Sequence, residues 1–366
     1  MRGGGVRARM LLTGVLAGLV VSLGSCSPAY VMRGAYEQTR ILLGRRDIGD
    51  VLADPSTPAE EREKLQLVLD ARSFSETIGL KTGESFTTYS DIGKDTLSWV
   101  VVGSRKDAFS LYTWWFPIVG RVPYKGFFEK EDAQEQAAEL EAEGYETWVR
   151  GADAFSTLGW FNDPILSTTL RSSPTRIANT VIHESVHPTV WIPGSVPFNE
   201  SLANFVAMMA TQQFFGQRVA DCLAAKGGDC TREQAMLASA RLDAEVQRDL
   251  GAEVQGLYEA LDQLYRDPAL SPEEKVSRRS AIFTARVTPL REKHRELKAL
   301  QRVNNAEIMQ LKIYLTELGL FASLYELQGR SWQRFIAEVE GIQRQLEQDR
   351  SLDPFQLLRE RVGNQT

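Results

Sequence analysis

The pattern of apolar and polar positions divides the chain into helical ends around a middle of β character. Residues 30–43 mix apolar and basic positions at helical spacing. Asp54-Pro55-Ser56-Thr57-Pro58 reads as a turn. Thr57 would cap a helix running from Pro58 to about residue 80, with Glu60 and Glu61 in its first turn and Leu65, Leu67, Val68 and Leu69 on its buried face. Ser98-Trp99-Val100-Val101-Val102 is rich in β-branched and aromatic residues, and residues 109–114 alternate large and small. Together they predict a hairpin connected through residues 103–107. Residues 120–128 read as an aromatic loop, 129–144 as an Ala- and Glu-rich helix, and Thr147-Trp148-Val149 as a short strand. A turn at Phe161-Asn162-Asp163-Pro164 then leads to a strand over 165–170.

The second half is helical. Ser173 suits an N-cap and Pro174 the first position of a helix whose Ile177, Val181 and Ile182 face the core. A further helix spans about 199–215. Residues 231–302 are strongly charged and interrupted at 267–272, which predicts a long helical hairpin with solvated outer faces. Ser271 caps its second arm, which begins Pro272-Glu273-Glu274. Residues 304–362 are amphipathic, with Leu311, Tyr314, Leu315, Leu318, Phe321 and Leu324 on one stripe. There is no internal repeat and no low-complexity tract. The fold class that follows is α+β, predominantly helical, with a small β-sheet and a long charged hairpin.

Composition adds limits. The 366 residues are 43% hydrophobic and 25% charged, ordinary for a globular chain with ample core. The formal charge of −6 leaves no basic excess, so nucleic acid is excluded as an expected partner.

The N-terminus has the form of a targeting segment. Arg2, Arg7 and Arg9 precede an apolar run over 10–24, too short for a membrane span of ~20 residues. It ends in Leu23-Gly24-Ser25-Cys26, which resembles a bacterial lipobox. That resemblance implies removal of residues 1–25 and lipidation of Cys26. Ser27 gives no inner-membrane retention signal, which implies an envelope lipoprotein facing the periplasm, anchored by its lipid to the outer membrane. A plain secretory signal or an uncleaved anchor is the other reading. Loss of 1–25 removes three arginines and no acid, so the charge becomes −9. In an oxidising compartment Cys222 and Cys230 form a natural disulfide pair; two free thiols are the alternative.

The candidate chemistry lies in Val181-Ile182-His183-Glu184-Ser185-Val186-His187 and Asn199-Glu200. Two of the three histidines stand four apart, about one helical turn, so both rings leave the same face. Two histidines and a carboxylate form a common ligand set for catalytic zinc (Zn2+): His183, His187 and Glu200 as ligands, with Glu184 as general base. The bland reading is two core histidines and two surface glutamates. Asn204, one turn after Glu200, is a candidate to orient a ligating histidine.

Residues 181–187 with 198–206 resemble the gluzincin metallopeptidases, and the Asn-Glu-Ser-Leu-Ala-Asn-Phe run resembles the third-ligand helix of the aminopeptidase N family. More closely, the chain resembles a bacterial family of zincin-type aminopeptidases. The matching pieces are residues 116–120, 124–128, 156–164, the metal motif, 198–201, 304–306 and Tyr314, within 27–215 and 304–345. The charged hairpin is not part of the resemblance. What it implies is a single zincin-like domain over 26–366: a core at 26–215 with the metal motif, a hairpin insertion at 216–303, and C-terminal helices at 304–366 that complete the core. It implies zinc-dependent hydrolysis of peptide substrates, as an aminopeptidase. It makes Tyr314 the candidate oxyanion donor, with Asn304 and Asn305 as possible contributors, and by analogy it makes 163–170 an edge strand for substrate. The Gly-x-Met-Glu-Asn segment that holds the free amine in the aminopeptidase N family is missing. A non-catalytic lipoprotein working as a scaffold through its hairpin is the rival from another class; a metal-dependent amidase on cell-wall peptide is a third reading.

Pro188 departs from the gluzincin pattern. It cannot donate to the carbonyl of Glu184 and biases His187 away from the α region. The motif helix is therefore expected to stop at His187, and a short loop turned by Gly194 to bring Glu200 back to the histidines.

Overall fold

The computed structural model describes residues 28–116, 120–152, 162–225 and 228–363. Cys26 and the leader, the 117–119 part of one resembling segment and 156–161 of another lie outside the described residues. The elements in order are α1 (Pro28–Leu43), β1 (Arg46–Asp47), α2 (Ile48–Ala53), α3 (Ala59–Thr77), β2 (Thr88–Ser90), β3 (Ser98–Ser104), β4 (Trp114–Phe116), β5 (Gly120–Val122), β6 (Lys125–Phe127), α4 (Lys130–Ala142) and β7 (Glu146–Ala152). They continue as β8 (Ile165–Leu166), α5 (Ser167–Leu170), α6 (Pro174–Val186), α7 (Val196–Ala224), α8 (Thr231–Arg266), α9 (Pro272–Lys293), α10 (Asn305–Leu315), α11 (Leu318–Leu327), α12 (Trp332–Gln348) and α13 (Pro354–Gly363). The fold is predominantly helical with small sheets. Among the described residues no helix is long and apolar enough to cross a membrane.

Helix α7 is the axis. Its N-terminal half buries Phe198, Leu202, Phe205 and Val206 against α8, through Val254, Leu257 and Leu261, and against Phe321 of α11 and Phe335 and Val339 of α12. Its C-terminal half buries Phe214 and Phe215 with Ile48, Leu65, Val68, Ile177 and Val181. Ala203, Ala207 and Ala210 are fully buried along it, where small side chains let neighbouring helices approach. A third cluster joins α4 to the sheet through Val101, Phe127, Ala133 and Leu140.

The sheet differs from the expected hairpin. Its order is β6-β3-β7, so both edges of β3 are taken by ladders to residues 125–127 and 146–152. Of the expected hairpin only the root forms: Ser104 bridges Leu111, the Arg105 amide donates to the Ser110 carbonyl and the Tyr112 amide to the Gly103 carbonyl, while Phe109 stacks on Tyr258 with a 4.6 Å centroid separation and Trp114 opens β4. The segment 120–128, expected as a loop, supplies two strands, β5 against β4 and β6 against β3. The strand expected over 165–170 stops at Leu166. β2 offers only three residues to pair, so the ladder ends and the chain coils into α5, whose Thr168, Thr169 and Leu170 are buried. No extended edge remains there to receive a peptide.

Local signals are followed more closely. Ser173 accepts from the Arg176 amide and Pro174 opens α6. Ser271 and Glu274 form a reciprocal capping box at α9. Thr57 is a correction: its hydroxyl donates to the carbonyl of Val51, and α3 starts after Pro58 without a side-chain cap. The single stripe over 304–362 is four helices, broken first where Glu317 takes a left-handed φ of 52°. Cys222 and Cys230 are disulfide-bonded.

Candidate metal centre

α6 buries Ile177, Ala178, Val181 and Ile182 and turns His183 and Glu184 toward a cleft of about 830 Å³. The helix stops after Val186, as Pro188 requires, yet His187 keeps α-region angles (φ −60°, ψ −44°). The amides of Thr189 and Val190 both bond to the Val186 carbonyl, which closes the turn without Pro188 donating. The bias that proline imposes on its predecessor is thus overridden, and His187 stays on the face of His183. Their rings lie 5.1 Å apart, nearly perpendicular at 81°. Gly194, at φ +83°, reverses the chain in the left-handed region that glycine adopts without strain.

Every polar residue at the start of α7 has a task. Asn199 clamps the loop: its Oδ1 accepts from the Ile192 amide at 3.0 Å and its Nδ2 donates to the Ile192 carbonyl at 2.9 Å. That fixes the return of the chain next to Glu200. Ser201 donates to the Ile313 carbonyl and accepts from the Thr316 amide. Asn204 donates to Gln247 and to the Tyr314 carbonyl. It therefore does not orient a histidine; with Ser201 it holds α10, the helix that brings Tyr314 to the cleft. Asn304 and Asn305 do not reach the cleft either. Asn304 caps α10 by accepting from the Glu307 amide, and Asn305 is fully buried, accepting from the Tyr265 hydroxyl.

His183, His187 and Glu200 converge. Their ligating atoms all lie within 4.8 Å of one another. His183 Nε2 donates to Glu200 Oε2 at 3.3 Å, and His187 Nε2 is 3.7 Å from Glu200 Oε1. Glu184, Tyr314, Trp191, Tyr124 and Arg150 line the same cleft. Trp191 packs edge-on to the His187 ring at 5.5 Å. Arg150 was not legible as a site residue, because it sits in a strand and carries no motif. A second cluster of donor atoms, Glu245, Asp249 and His294, is bridged by Lys293, 2.9 Å from Glu245 and 2.6 Å from Asp249.

The electrostatics suit a ligand set. Burial, aided by the charge of His183, pulls the His187 imidazole down to about 4, so it is neutral at pH 7. Burial pulls His183 the same way, but its bond to Glu200 and the charges of Glu184 and Glu200 outweigh this, and its pKa ends above the ordinary value. Burial raises the Glu200 carboxyl, and the bond to His183 with the charges of His183, His187 and Arg150 lowers it further than burial raises it. Burial, with the charge of Glu200, pushes the Tyr314 hydroxyl up to about 12, so it keeps its proton as a donor.

The metal-free protein is expected to lose stability as pH falls from ~6.5 toward ~4. In that window His187 takes a proton only when the chain unfolds, so the unfolded state binds more protons and is favoured. The full loss is about 3 kcal/mol, roughly 2 of it by pH 5. His183 acts oppositely and elsewhere: its raised pKa adds stability below ~6.5 that fades as pH rises through the folded value. Glu200 adds a further loss only below ~4.5. Urea unfolding of chelator-treated protein at pH 7 and pH 5 measures the drop. Equal stabilities, or the same drop in His187→Gln, would refute it.

The sequence model of the Aminopep family, described as "Putative aminopeptidase", matches residues 29–352. The chain belongs to this family. The matched span takes in the α6–α7 centre, the charged hairpin α8–α9 and α10, and the family's description points to a peptidase. No curated protein and no solved structure gives a significant match.

Proposed function

We propose that this member of the Aminopep family is a zinc-dependent metallopeptidase, with His183, His187 and Glu200 as ligands and Glu184 as general base. The observation that carries the reading is the convergence of these three side chains at a cleft that Glu184 and Tyr314 also line. The donor set fits zinc: two imidazoles, one held neutral, and a carboxylate held ionised, open on one side. The Nδ1 of His187 has no partner among the described residues, so its Nε2 is the atom presented to Glu200 and to a metal.

Zinc bound there supplies Lewis acidity, which acidifies water and polarises the scissile carbonyl. The protein's own groups do the rest. Glu184 takes the proton of the attacking water and returns it to the leaving amine as the C–N bond breaks. The Tyr314 hydroxyl, protonated at neutral pH, donates to the oxygen on which negative charge develops. Asn199, Ser201 and Asn204 keep Glu200 and Tyr314 in place.

A zincin-like arrangement is supported by the motif helix facing β7 across the cleft. Among the described residues β7 pairs only with β3, and its Arg150, Gly151 and Ala152 line the cleft. We assign extended-peptide binding to this open edge, in place of residues 163–170. Aminopeptidase action follows the family's description. Anchoring through a lipidated Cys26 in the outer membrane remains our reading of the leader, and the Cys222–Cys230 bond suits an oxidising compartment. The scaffold reading gives no reason for a convergent ligand set.

Two measurements test the proposal. Protein purified without chelator is expected to hold one zinc per chain. A peptide-library digest read by mass spectrometry is expected to show zinc-dependent cleavage; loss of single N-terminal residues supports the aminopeptidase mode, and cleavage only of cell-wall peptide the amidase. Protein that holds no zinc and cleaves nothing would overturn it.

A further inference from the structure

We propose that Arg150 recognises a carboxylate on the substrate, so that the enzyme prefers peptides carrying a negative charge close to the scissile bond. The inference rests on the peptidase reading above and adds a substrate class to it. β7 is the open-edged strand along the cleft, and Trp148 and Arg150, two residues apart, share one of its faces. The Arg150 guanidinium carbon lies 5.9 Å from the centroid of the Trp148 ring, which supports the flat face of the guanidinium while leaving its N–H groups unused. Its Nε is buried, and among the described residues the guanidinium makes no hydrogen bond and no ion pair.

Four other arginines that are buried or partly buried, Arg279, Arg218, Arg72 and Arg361, are each paired, with Glu146, Asp70, Glu76 and Glu338. A buried guanidinium N–H without an acceptor is costly and persists where a ligand completes it. Arg150 stands at the wall of the cleft that His183, Glu184, Glu200 and Tyr314 line, and its charge reaches Glu200 and Tyr314, drawing both carboxyl and hydroxyl pKa values down against burial. The fork of a guanidinium matches a carboxylate through two parallel hydrogen bonds. An incoming peptide supplies one from either of two sources, an acidic side chain or a free C-terminus.

The test uses matched peptides. One pair is C-terminally amidated and differs by Glu against Gln beside the cleaved bond. The other carries only neutral side chains and ends in a free acid or an amide. The wild-type enzyme is expected to favour the carboxylate in one pair by about tenfold or more in kcat/KM, mostly through KM, and the pair that responds identifies the source. In Arg150→Gln that preference is expected to collapse toward one, and Arg150→Lys to recover part of it. Calorimetric binding of the same peptides to zinc-loaded Glu184→Gln protein gives a readout independent of turnover. If nothing is cleaved, the peptidase reading fails while the binding preference still decides the role of Arg150. Equal handling of both members of both pairs, or a preference that survives Arg150→Gln, overturns the inference.

Discussion

Glu184→Gln is expected to keep one zinc per chain and to lose about 10²–10⁴-fold in kcat/KM. Glutamine has nearly the same shape, so the cleft and the helix beneath it are undisturbed. It cannot take a proton from water or return one to the leaving amine. Glu184 is adjacent to His183 but is not among the converging ligand atoms, so metal content should not follow activity. The contrast with Glu200→Gln is diagnostic: there the carboxylate that bonds His183 is lost, and zinc should be lost with it. Metal analysis and peptide kinetics on both variants check this. Full activity in Glu184→Gln would remove the assigned base, and zinc retained at wild-type affinity in Glu200→Gln would remove the assigned ligand.

Glu146→Ala is expected to destabilise the fold by about 3–5 kcal/mol. Glu146 and Arg279 are both nine-tenths buried and form a bidentate pair, with N–O distances of 2.9 and 2.7 Å. Arg279 also donates to the Lys106 carbonyl, and Glu146 accepts from the Asn305 amide. This one carboxylate therefore joins the hairpin helix α9, the start of α10 and the start of β7. Removing it strands a buried guanidinium, which costs more than the pair contributes. Arg279→Met combined with Glu146→Leu is expected to recover most of the loss, because no buried charge is then left unpaired. Urea unfolding of zinc-saturated protein measures both; a Glu146→Ala midpoint equal to wild type, or a double variant no better than the single, would contradict the account. Since β7 and α10 carry Arg150 and Tyr314, Glu146→Ala is also expected to raise KM.

Much of the centre was legible because its signals are local. Four-residue spacing sets two rings on one helix face whatever surrounds the helix. Ser173 and Pro174 start that helix through their own backbone chemistry, and Pro188 ends it by lacking a donor. Gly194 marks the reversal, Ser271 and Glu274 cap each other, and the strongly charged stretch interrupted at 267–272 predicts the hairpin.

Sequence and structure part where a partner distant in sequence decides. Residues 98–102 and 109–114 both read as strands, but the ladders of β3 go to residues 125–127 and 146–152, and 109–114 keep only the bridge at Ser104 and Leu111 and the start of β4. Asn204 reads from sequence as placed to orient a histidine, yet its amide donates to the Tyr314 carbonyl 110 residues away. Asn304 and Asn305, grouped with the site by resemblance, are a helix cap and a buried tie.

By itself, the sequence determined the motif helix with its cap and stop, the capped second arm of the hairpin, and the residues that could hold a metal, because these follow from backbone donors, fixed proline geometry and helical periodicity. Only the tertiary structure decided the sheet order and, among the described residues, the open edge beside the cleft and the guanidinium of Arg150 left without a partner. Those depend on which surfaces exclude water together, a property of the packed chain and of no single segment.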